Sequence, residues 1–347
     1  MTATNPFFNR GCIEEPSCFF GRQRELQDIF NLLGKPIPQS VSIVGQRKIG
    51  KSSLLQHIMR PQTVRQYIPE PDNLILVCVN FEGLAYFSEM ECLQKLLWDG
   101  YAAVATLLPQ PGDGPKIDGS AATPFLIIES LNRLFRWLRQ QKKRLVFLFD
   151  EFELSCGNPN LTSSFFNTLR SFSTSFGVAY VVATMQELWR LPHSKGARSS
   201  PFFNYFTTVY VGLFTGREAQ DLLATLSPRL AGPEEAAFLL EEAGLFPFFL
   251  QLLGWYLWDQ EARSGKIGSA DRQAALVEFK SQAAPHFAFF WNHLSDQERS
   301  VLSRLARQAA LEGPDTTVAE RLRQQSLLFH DKLFCSAFAA FVNDQTV

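Results

Sequence analysis

The sequence has few cysteines, and their positions match no metal site or disulfide framework. Six occur in 347 residues, scattered along the chain as Cys12, Cys18, Cys78, Cys92, Cys156 and Cys335. There is no C-x-x-C pair, and no histidine lies near a cysteine at zinc-binding spacing. This pattern argues against a zinc module and a disulfide-stapled fold, and the scattered thiols predict a reducing compartment.

The sequence also lacks an excess of charge of either sign. Lysine and arginine together number 33, aspartate and glutamate 34, and the formal net charge is −1. A chain-wide basic field of the kind that attracts nucleic acid is therefore excluded, whereas a local basic patch is left open.

Long hydrophobic runs are missing as well. No apolar run reaches the ~18 residues that a membrane-spanning helix needs. Residues 1–10 contain no hydrophobic region of a signal peptide. The sequence therefore predicts a soluble, cytoplasmic protein with no membrane partner.

What the sequence does have is a large apolar fraction in a long chain. It is 46% hydrophobic and 19% charged, and it contains 32 phenylalanines. We expect most of these rings to form the core, the alternative being that an exposed subset marks a partner surface. The length is sufficient for two or three domains.

Apolar runs and helical periodicity alternate through the first two thirds of the chain. Predicted strands cover residues 41–44, 74–79, 145–149, 178–183 and 207–213. Predicted helices cover residues 23–33, 52–59, 87–107, 124–141 and 162–173. Because strands separated by helices form parallel sheets, the fold class is α/β, with a doubly wound, parallel, five-stranded sheet.

The pattern becomes helical after residue 215. Helices are predicted at 216–226, 233–243, 247–262 and 270–282, and then at 295–309 and 316–325 before a hairpin that turns at 330–332. The predicted domains are an N-terminal lead-in over 1–40 that carries the base-contact segment, a core over 41–215, a helical lid over 216–284 and a winged-helix-like domain over 285–347.

A phosphate-binding loop is the strongest motif. Residues 45–52 fit G-x-x-x-x-G-K-[ST] at every fixed position and lie between an apolar run and a helical stretch. The backbone N–H groups of such a loop and the following helix N-terminus bind phosphate. Lys51 is predicted to reach the β- and γ-phosphates, and the Ser52 hydroxyl to ligate Mg²⁺. The predicted nucleotide contacts are Gly45, Gln46, Arg47, Lys48, Ile49, Gly50, Lys51, Ser52 and Ser53.

A second motif lies about 100 residues downstream, at the end of a later apolar strand. Asp150 is placed to hold Mg²⁺ through its water shell, and Glu151 to polarise the attacking water as a general base. Thr184 ends the next strand, where a hydroxyl contacts the γ-phosphate or orients the water. The alternative for each is a polar residue that merely ends a strand.

Together these residues resemble an AAA+-related P-loop ATPase of the STAND and archaeal-type group. The resemblance rests on the segment from Phe20 to Leu26, the phosphate loop, Asp150 with Glu151, Thr184 and two further stretches. Those stretches run from Ser199 to Asn204 and from Gly244 to Gln251. In the second, two residues separate Gly244 from Pro247, where many relatives have one.

The resemblance implies further roles. Phe20, Gly21 and Arg22 would lie near the adenine and ribose, and Pro247 would sense the nucleotide from the lid. Arg198 is the first candidate for an arginine finger acting on a neighbouring subunit, and Arg217 the second. The implied cofactors are ATP and Mg²⁺, with ATP preferred over GTP on the resemblance alone.

Three functions are consistent with these motifs. The first is a slowly hydrolysing switch that binds ATP and ADP, self-associates and controls a protein effector or sensor supplied by another chain. The second is a DNA-loaded AAA+ regulator of the replication-initiator or transposition type, whose winged helix binds duplex DNA. It ranks lower because the predicted recognition helix has only two arginines, Arg321 and Arg323. The third, nucleotide binding without turnover, conflicts with the presence of Lys51, Asp150 and Glu151.

Overall fold

The computed structural model describes residues 4–7, 11–108, 114–115, 123–191, 200–309, 311 and 315–345. Its larger sheet has five strands: β1 (Ser40–Val44), β2 (Leu74–Asn80), β3 (Arg144–Asp150), β4 (Ala179–Thr184) and β5 (Phe206–Tyr210). A two-stranded sheet follows near the C-terminus: β6 (Leu328–Phe329) and β7 (Lys332–Leu333).

Helices separate these strands and fill the C-terminal third. The first seven are α1 (Gln23–Leu33), α2 (Lys51–Ile58), α3 (Pro61–Tyr67), α4 (Glu89–Ala105), α5 (Pro124–Gln140), α6 (Glu153–Gly157) and α7 (Ser163–Phe176). The others are α8 (Gly216–Leu226), α9 (Pro233–Glu242), α10 (Pro247–Ser264), α11 (Ser269–Asn292), α12 (Asp296–Ala306), α13 (Asp315–Gln324) and α14 (Ser336–Asp344).

All pairings in the larger sheet are parallel, and the strand order is β2-β3-β4-β1-β5. β4 lies between β1, which leads into the phosphate loop, and β3, which ends at Asp150. This confirms the predicted five-stranded α/β fold and the extra strand that separates the two motifs.

The chain divides into two compact units. The sheet unit comprises residues 22–44 and 51–211, and the helical unit comprises residues 1–21, 45–50 and 212–347. The predicted division into lead-in, core, lid and winged-helix-like domain stays a prediction.

Phenylalanine dominates the core of each unit. In the sheet unit, β1 and β4 are buried along their whole length, as strands covered on both faces must be. The rings around them include Phe147, Phe149, Phe152, Phe166 and Phe202. In the helical unit, a second set of buried rings joins α10, α11 and α14: Phe246, Phe249, Phe287, Phe334 and Phe338.

Two elements differ from the sequence prediction. β5 ends at Tyr210, not at residue 213, because the chain belongs to the helical unit from residue 212 onward, where the Phe214 N–H donates to the Leu245 carbonyl at 2.9 Å. α11 continues through Pro285 to Asn292. A proline inside a helix removes one hydrogen bond, and burial of Phe287 and Phe290 beyond it offsets that loss.

Candidate nucleotide-binding site

The carboxyl edge of the larger sheet collects the predicted polar residues of the sheet unit. Val44 is paired with Thr184 across β1 and β4, and Asp150 is paired with Asn80 across β3 and β2. Parallel strands end at the same edge, so Asp150 and Thr184 lie on the side from which the phosphate loop leaves β1. Ligands of open α/β sheets bind at this edge.

The loop from Gly45 to Gly50 has the backbone of an anion-binding nest. Lys48 and Gly50 both have positive φ, at 66° and 107°, and the Ile49 N–H donates to the Gln46 carbonyl at 3.2 Å. Residues of positive φ that alternate with residues of negative φ can turn successive N–H groups toward one concave face. Glycine is required at position 50, because a φ of 107° is strained for any side chain.

The first turn of α2 presents the residues predicted to meet phosphate and metal. Lys51 is buried, with 8% of its surface exposed, Ser52 is half-buried and Ser53 is buried. The N-terminus of this helix faces the end of the loop, which suits a phosphate group. The hydroxyl of Ser52 and the carboxylate of Asp150 are hard oxygen donors of the type that Mg²⁺ prefers. These residues fit the predicted Mg²⁺–nucleotide group.

Asp150 and Glu151 form a turn directly after β3. The Asp150 Oδ1 accepts the Glu151 N–H at 3.1 Å, and Glu151 has a φ of 51°. A left-handed backbone is uncommon outside glycine, and residues held in it cluster at functional sites. The two carboxylates with distinct predicted roles therefore lie at a constrained turn at the end of β3.

Thr184 is fully buried at the end of β4. Its hydroxyl donates to the Gln186 carbonyl at 2.7 Å. This bond holds the turn after the strand, so a contact from Thr184 to the γ-phosphate requires the hydroxyl to exchange partners. The sensor role of Thr184 stays a prediction.

Glu153 is a site residue that the sequence analysis missed. Both of its carboxylate oxygens are buried and have no hydrogen-bond partner of good geometry among the described residues. Burial raises the pKa of this carboxyl to about 7, Lys51 acts in the opposite direction, and Glu151 adds to the increase. Glu153 is thus a third carboxylate in the electrostatic surroundings of Lys51. The sequence feature that could have identified Glu153 is its place as the third acidic residue in the run Asp150-Glu151-Phe152-Glu153.

The predicted base-contact segment is constrained by two left-handed residues. Gly21 has a φ of 67°, and a Cβ added there would lie 2.5 Å from the Glu218 Oε1 in the same unit. Arg22 has a φ of 71°, is buried and donates to Glu25 at 3.0 Å. Phe20 is half-buried. Assignment of this segment to adenine and ribose stays a prediction.

The lid and finger candidates have different surroundings. Pro247 is buried in the first turn of α10. Arg217 is exposed, and its Nε lies 4.0 Å from the Asp221 carboxylate. Arg198 lies outside the described residues. The finger therefore stays a prediction for both arginines.

Residues 35–311 match the family described as "Novel STAND NTPase 2". This match covers well over half of the sequence. The chain belongs to this family of STAND NTPases. The family confirms the resemblance to P-loop ATPases of the AAA+-related class. The assignment of nucleotide contacts to residues 45–53 stays a prediction. No curated protein matches this STAND NTPase.

Solved structures share the fold at low sequence identity. A Walker-type ATPase of Pyrococcus abyssi is 13% identical, with a TM-score of 0.58 over 96% of this chain and 98% of its own. The ORC2 protein of Aeropyrum pernix is 14% identical, with a TM-score of 0.57 over 93% of each chain. Drosophila ORC bound to DNA is 13% identical, with a TM-score of 0.52 over 96% of this chain and 88% of its own.

Among the described helices of the STAND NTPase, none is both long enough and apolar enough to cross a membrane.

Proposed function

We propose that this STAND NTPase is a nucleotide-controlled switch that binds Mg²⁺–ATP, changes conformation and self-associates, and is reset by slow hydrolysis. The observation that carries the proposal is the convergence of Asp150, Glu151 and Thr184 at the sheet edge from which the phosphate loop leaves β1. In this proposal Lys51 binds the β- and γ-phosphates, Ser52 and Asp150 hold Mg²⁺, and Glu151 orients and deprotonates the attacking water.

The nucleotide acts as a switch only if its affinity differs between two conformations. A γ-phosphate is the group by which ATP differs from ADP, and Lys51 and Thr184 are the predicted residues that meet it. The partner controlled by the switch is a protein effector or sensor supplied in trans, and the compartment is the cytoplasm.

Duplex DNA is the competing ligand, because one structurally similar assembly, Drosophila ORC, is described as bound to DNA. The charges of the C-terminal segment weigh against it. Arg323 on α13 donates to Glu320 at 2.8 Å and to Asp331 at 2.6 Å. Arg304 donates to Asp315 at 2.5 Å. These carboxylates offset the positive charge of the segment, which weakens the electrostatic attraction to phosphates on which DNA binding depends.

The test is mass photometry of wild type and Glu151→Gln with ATP, ADP or no nucleotide, each with and without duplex DNA. Removal of the general base is expected to lower turnover by about 10²–10⁴-fold and leave ATP binding intact. The variant should therefore accumulate the ATP-dependent assembly.

Two outcomes would change the proposal. Assembly that requires DNA would replace the switch by the DNA-loaded regulator. An unchanged mass in all nucleotide states, with ATP binding verified separately, would contradict both. Unchanged turnover of Glu151→Gln would remove Glu151 from its assigned role.

A further inference from the structure

Two neighbouring side chains of the phosphate loop contact aromatic rings of two different helices in the helical unit. The Arg47 guanidinium carbon lies 4.6 Å from the ring centroid of Phe289, near the end of α11. The Lys48 ammonium lies 5.4 Å from the ring centroid of Phe248, in the first turn of α10. Both distances are within the ~6 Å over which a cation is attracted to an aromatic face.

The two rings differ from their neighbours on the same helices. Phe249, Phe287 and Phe290 are buried in the core of the helical unit. Phe248 and Phe289 are only half-buried. Their contact with the loop cations is therefore not a by-product of core packing.

The backbone at Lys48 supplies independent support. Lys48 has a φ of 66°, a conformation that glycine adopts freely and that is unfavourable for a long side chain. The surrounding structure has to offset the cost of this backbone, and the contact of the Lys48 ammonium with the Phe248 ring contributes to that.

Further contacts hold both rings in place. The His286 ring meets Phe248 with centroids 4.7 Å apart, and the His293 ring meets Phe289 with centroids 4.0 Å apart. Burial lowers the pKa of His286, and the charges of Lys48 and Arg47 lower it further.

We infer that Arg47 and Lys48 are positioning residues that couple the phosphate loop to helices α10 and α11. The two pairs Arg47–Phe289 and Lys48–Phe248 are called the cation–π link. In the proposed switch, phosphate acts on the loop through backbone N–H groups and Lys51, which leaves the side chains of residues 47 and 48 available for contact with α10 and α11. A shift of the loop around phosphate is thus passed to both helices. This inference rests on the proposed switch and names the residues through which it operates.

The test compares nucleotide affinity with hydrogen exchange of the helices. Arg47→Gln and Lys48→Met remove the cations, whereas Phe289→Leu and Phe248→Leu remove the rings and keep apolar side chains. Arg47→Lys and Lys48→Arg are the controls that preserve charge. Affinity is measured by titration with a fluorescent ATP analogue and with ADP, and amide exchange is followed over residues 247–264 and 269–292.

The ring-removing variants are expected to bind ATP within about threefold of wild type, because they leave every residue of the phosphate loop in place. The exchange of the cation-removing and ring-removing variants is compared at saturating nucleotide. Their helices are expected to lose the difference in exchange between the ATP and nucleotide-free states. The charge-preserving variants are expected to recover most of it. In the double variant Arg47→Gln/Phe289→Leu the loss should be no greater than in either single variant, as for residues that act as a pair.

Three results would overturn the inference. Wild-type helix protection in Arg47→Gln/Lys48→Met would remove the link, while the proposed switch would stand because wild type responds to ATP. Loss of ATP binding as severe as in Lys51→Ala would make the cations phosphate ligands. If wild-type helices do not respond to ATP at all, the switch itself fails and the inference fails with it.

Discussion

At the scale of single residues, Glu153 combines burial with a charge that the fold does not fully compensate. Its folded-state pKa is about 7, above the ordinary value of 4.5. A carboxyl with a raised folded pKa contributes stability below its unfolded pKa. That contribution is lost as pH rises through the folded pKa, because the folded state then holds a buried charge. Ionisation of Glu153 therefore lowers the free energy of unfolding between about pH 4.5 and 7.

We predict that Glu153→Gln stabilises the protein at pH 8, by about 1–3 kcal/mol at most, and has little effect at pH 5. Glutamine keeps the shape of the side chain and cannot ionise. Urea unfolding at both pH values measures the difference, with exposed Glu241→Gln as the control. A difference between wild type and Glu153→Gln that does not depend on pH would show that the Glu153 charge has no part in it.

Some residues of the predicted nucleotide site are identified by a local sequence pattern, whereas others depend on contacts between residues that are far apart in the sequence. Lys51, Ser52, Asp150 and Glu151 could be proposed from the sequence because a fixed local spacing or a strand end identifies them, and their roles stay predictions. The Glu153–Lys51 neighbourhood joins residues about 100 positions apart, and Arg47 and Phe289 are separated further still. Sequence periodicity carries no information about such pairs.

At the scale of elements, the start of α8 depends on a capping box that reaches a distant glycine. The Thr215 hydroxyl accepts the Glu218 N–H at 3.2 Å, and the Glu218 carboxylate accepts the Thr215 N–H at 2.7 Å. The same carboxylate lies against Gly21, so that there is no room for a Cβ there. The helix cap and the predicted base-contact segment are therefore coupled through Glu218.

We predict that Gly21→Ala destabilises the helical unit by about 1–3 kcal/mol, because it adds a clash with Glu218 to a strained positive φ. The free energy of unfolding in urea measures this loss. Gly83→Ala is the matched control, because an added Cβ at Gly83 meets nothing within 4 Å. Equal stability of the two variants would mean that Glu218 moves aside at no cost and that the coupling is weak.

Element types were largely predictable, and the errors have physical causes. Strands buried on both faces give continuous apolar runs, and the periodicity of α1, α5 and α8 was read correctly. α3, α6 and α14 were missed; none exceeds nine residues, which is too short for a clear periodic signal. The sequence prediction ended α11 too early because a proline usually ends a helix. The burial of Phe287 and Phe290 beyond Pro285 depends on tertiary contacts, which the local sequence pattern does not show.

At the scale of the whole molecule, the sequence motif G-x-x-x-x-G-K-[ST] is divided between the two compact units. Residues 45–50 belong to the helical unit and Lys51 to the sheet unit. This division follows from three-dimensional contacts and was not predictable from a motif of eight consecutive residues.

Nucleotide binding is expected to stabilise the folded protein by mass action. At a free ATP concentration of 100 times Kd, with Mg²⁺ present, the gain is about 2.7 kcal/mol, which raises Tm by several degrees. Lys51→Ala is expected to lose most of this shift, because it removes the cation predicted to bind the β- and γ-phosphates. Glu151→Gln is expected to retain all of it, because Glu151 is assigned to water activation. Scanning fluorimetry of the three proteins with ATP, ADP and no nucleotide measures the shifts. An equal shift in wild type and Lys51→Ala would show that the stabilising ligand is bound elsewhere than at the phosphate loop.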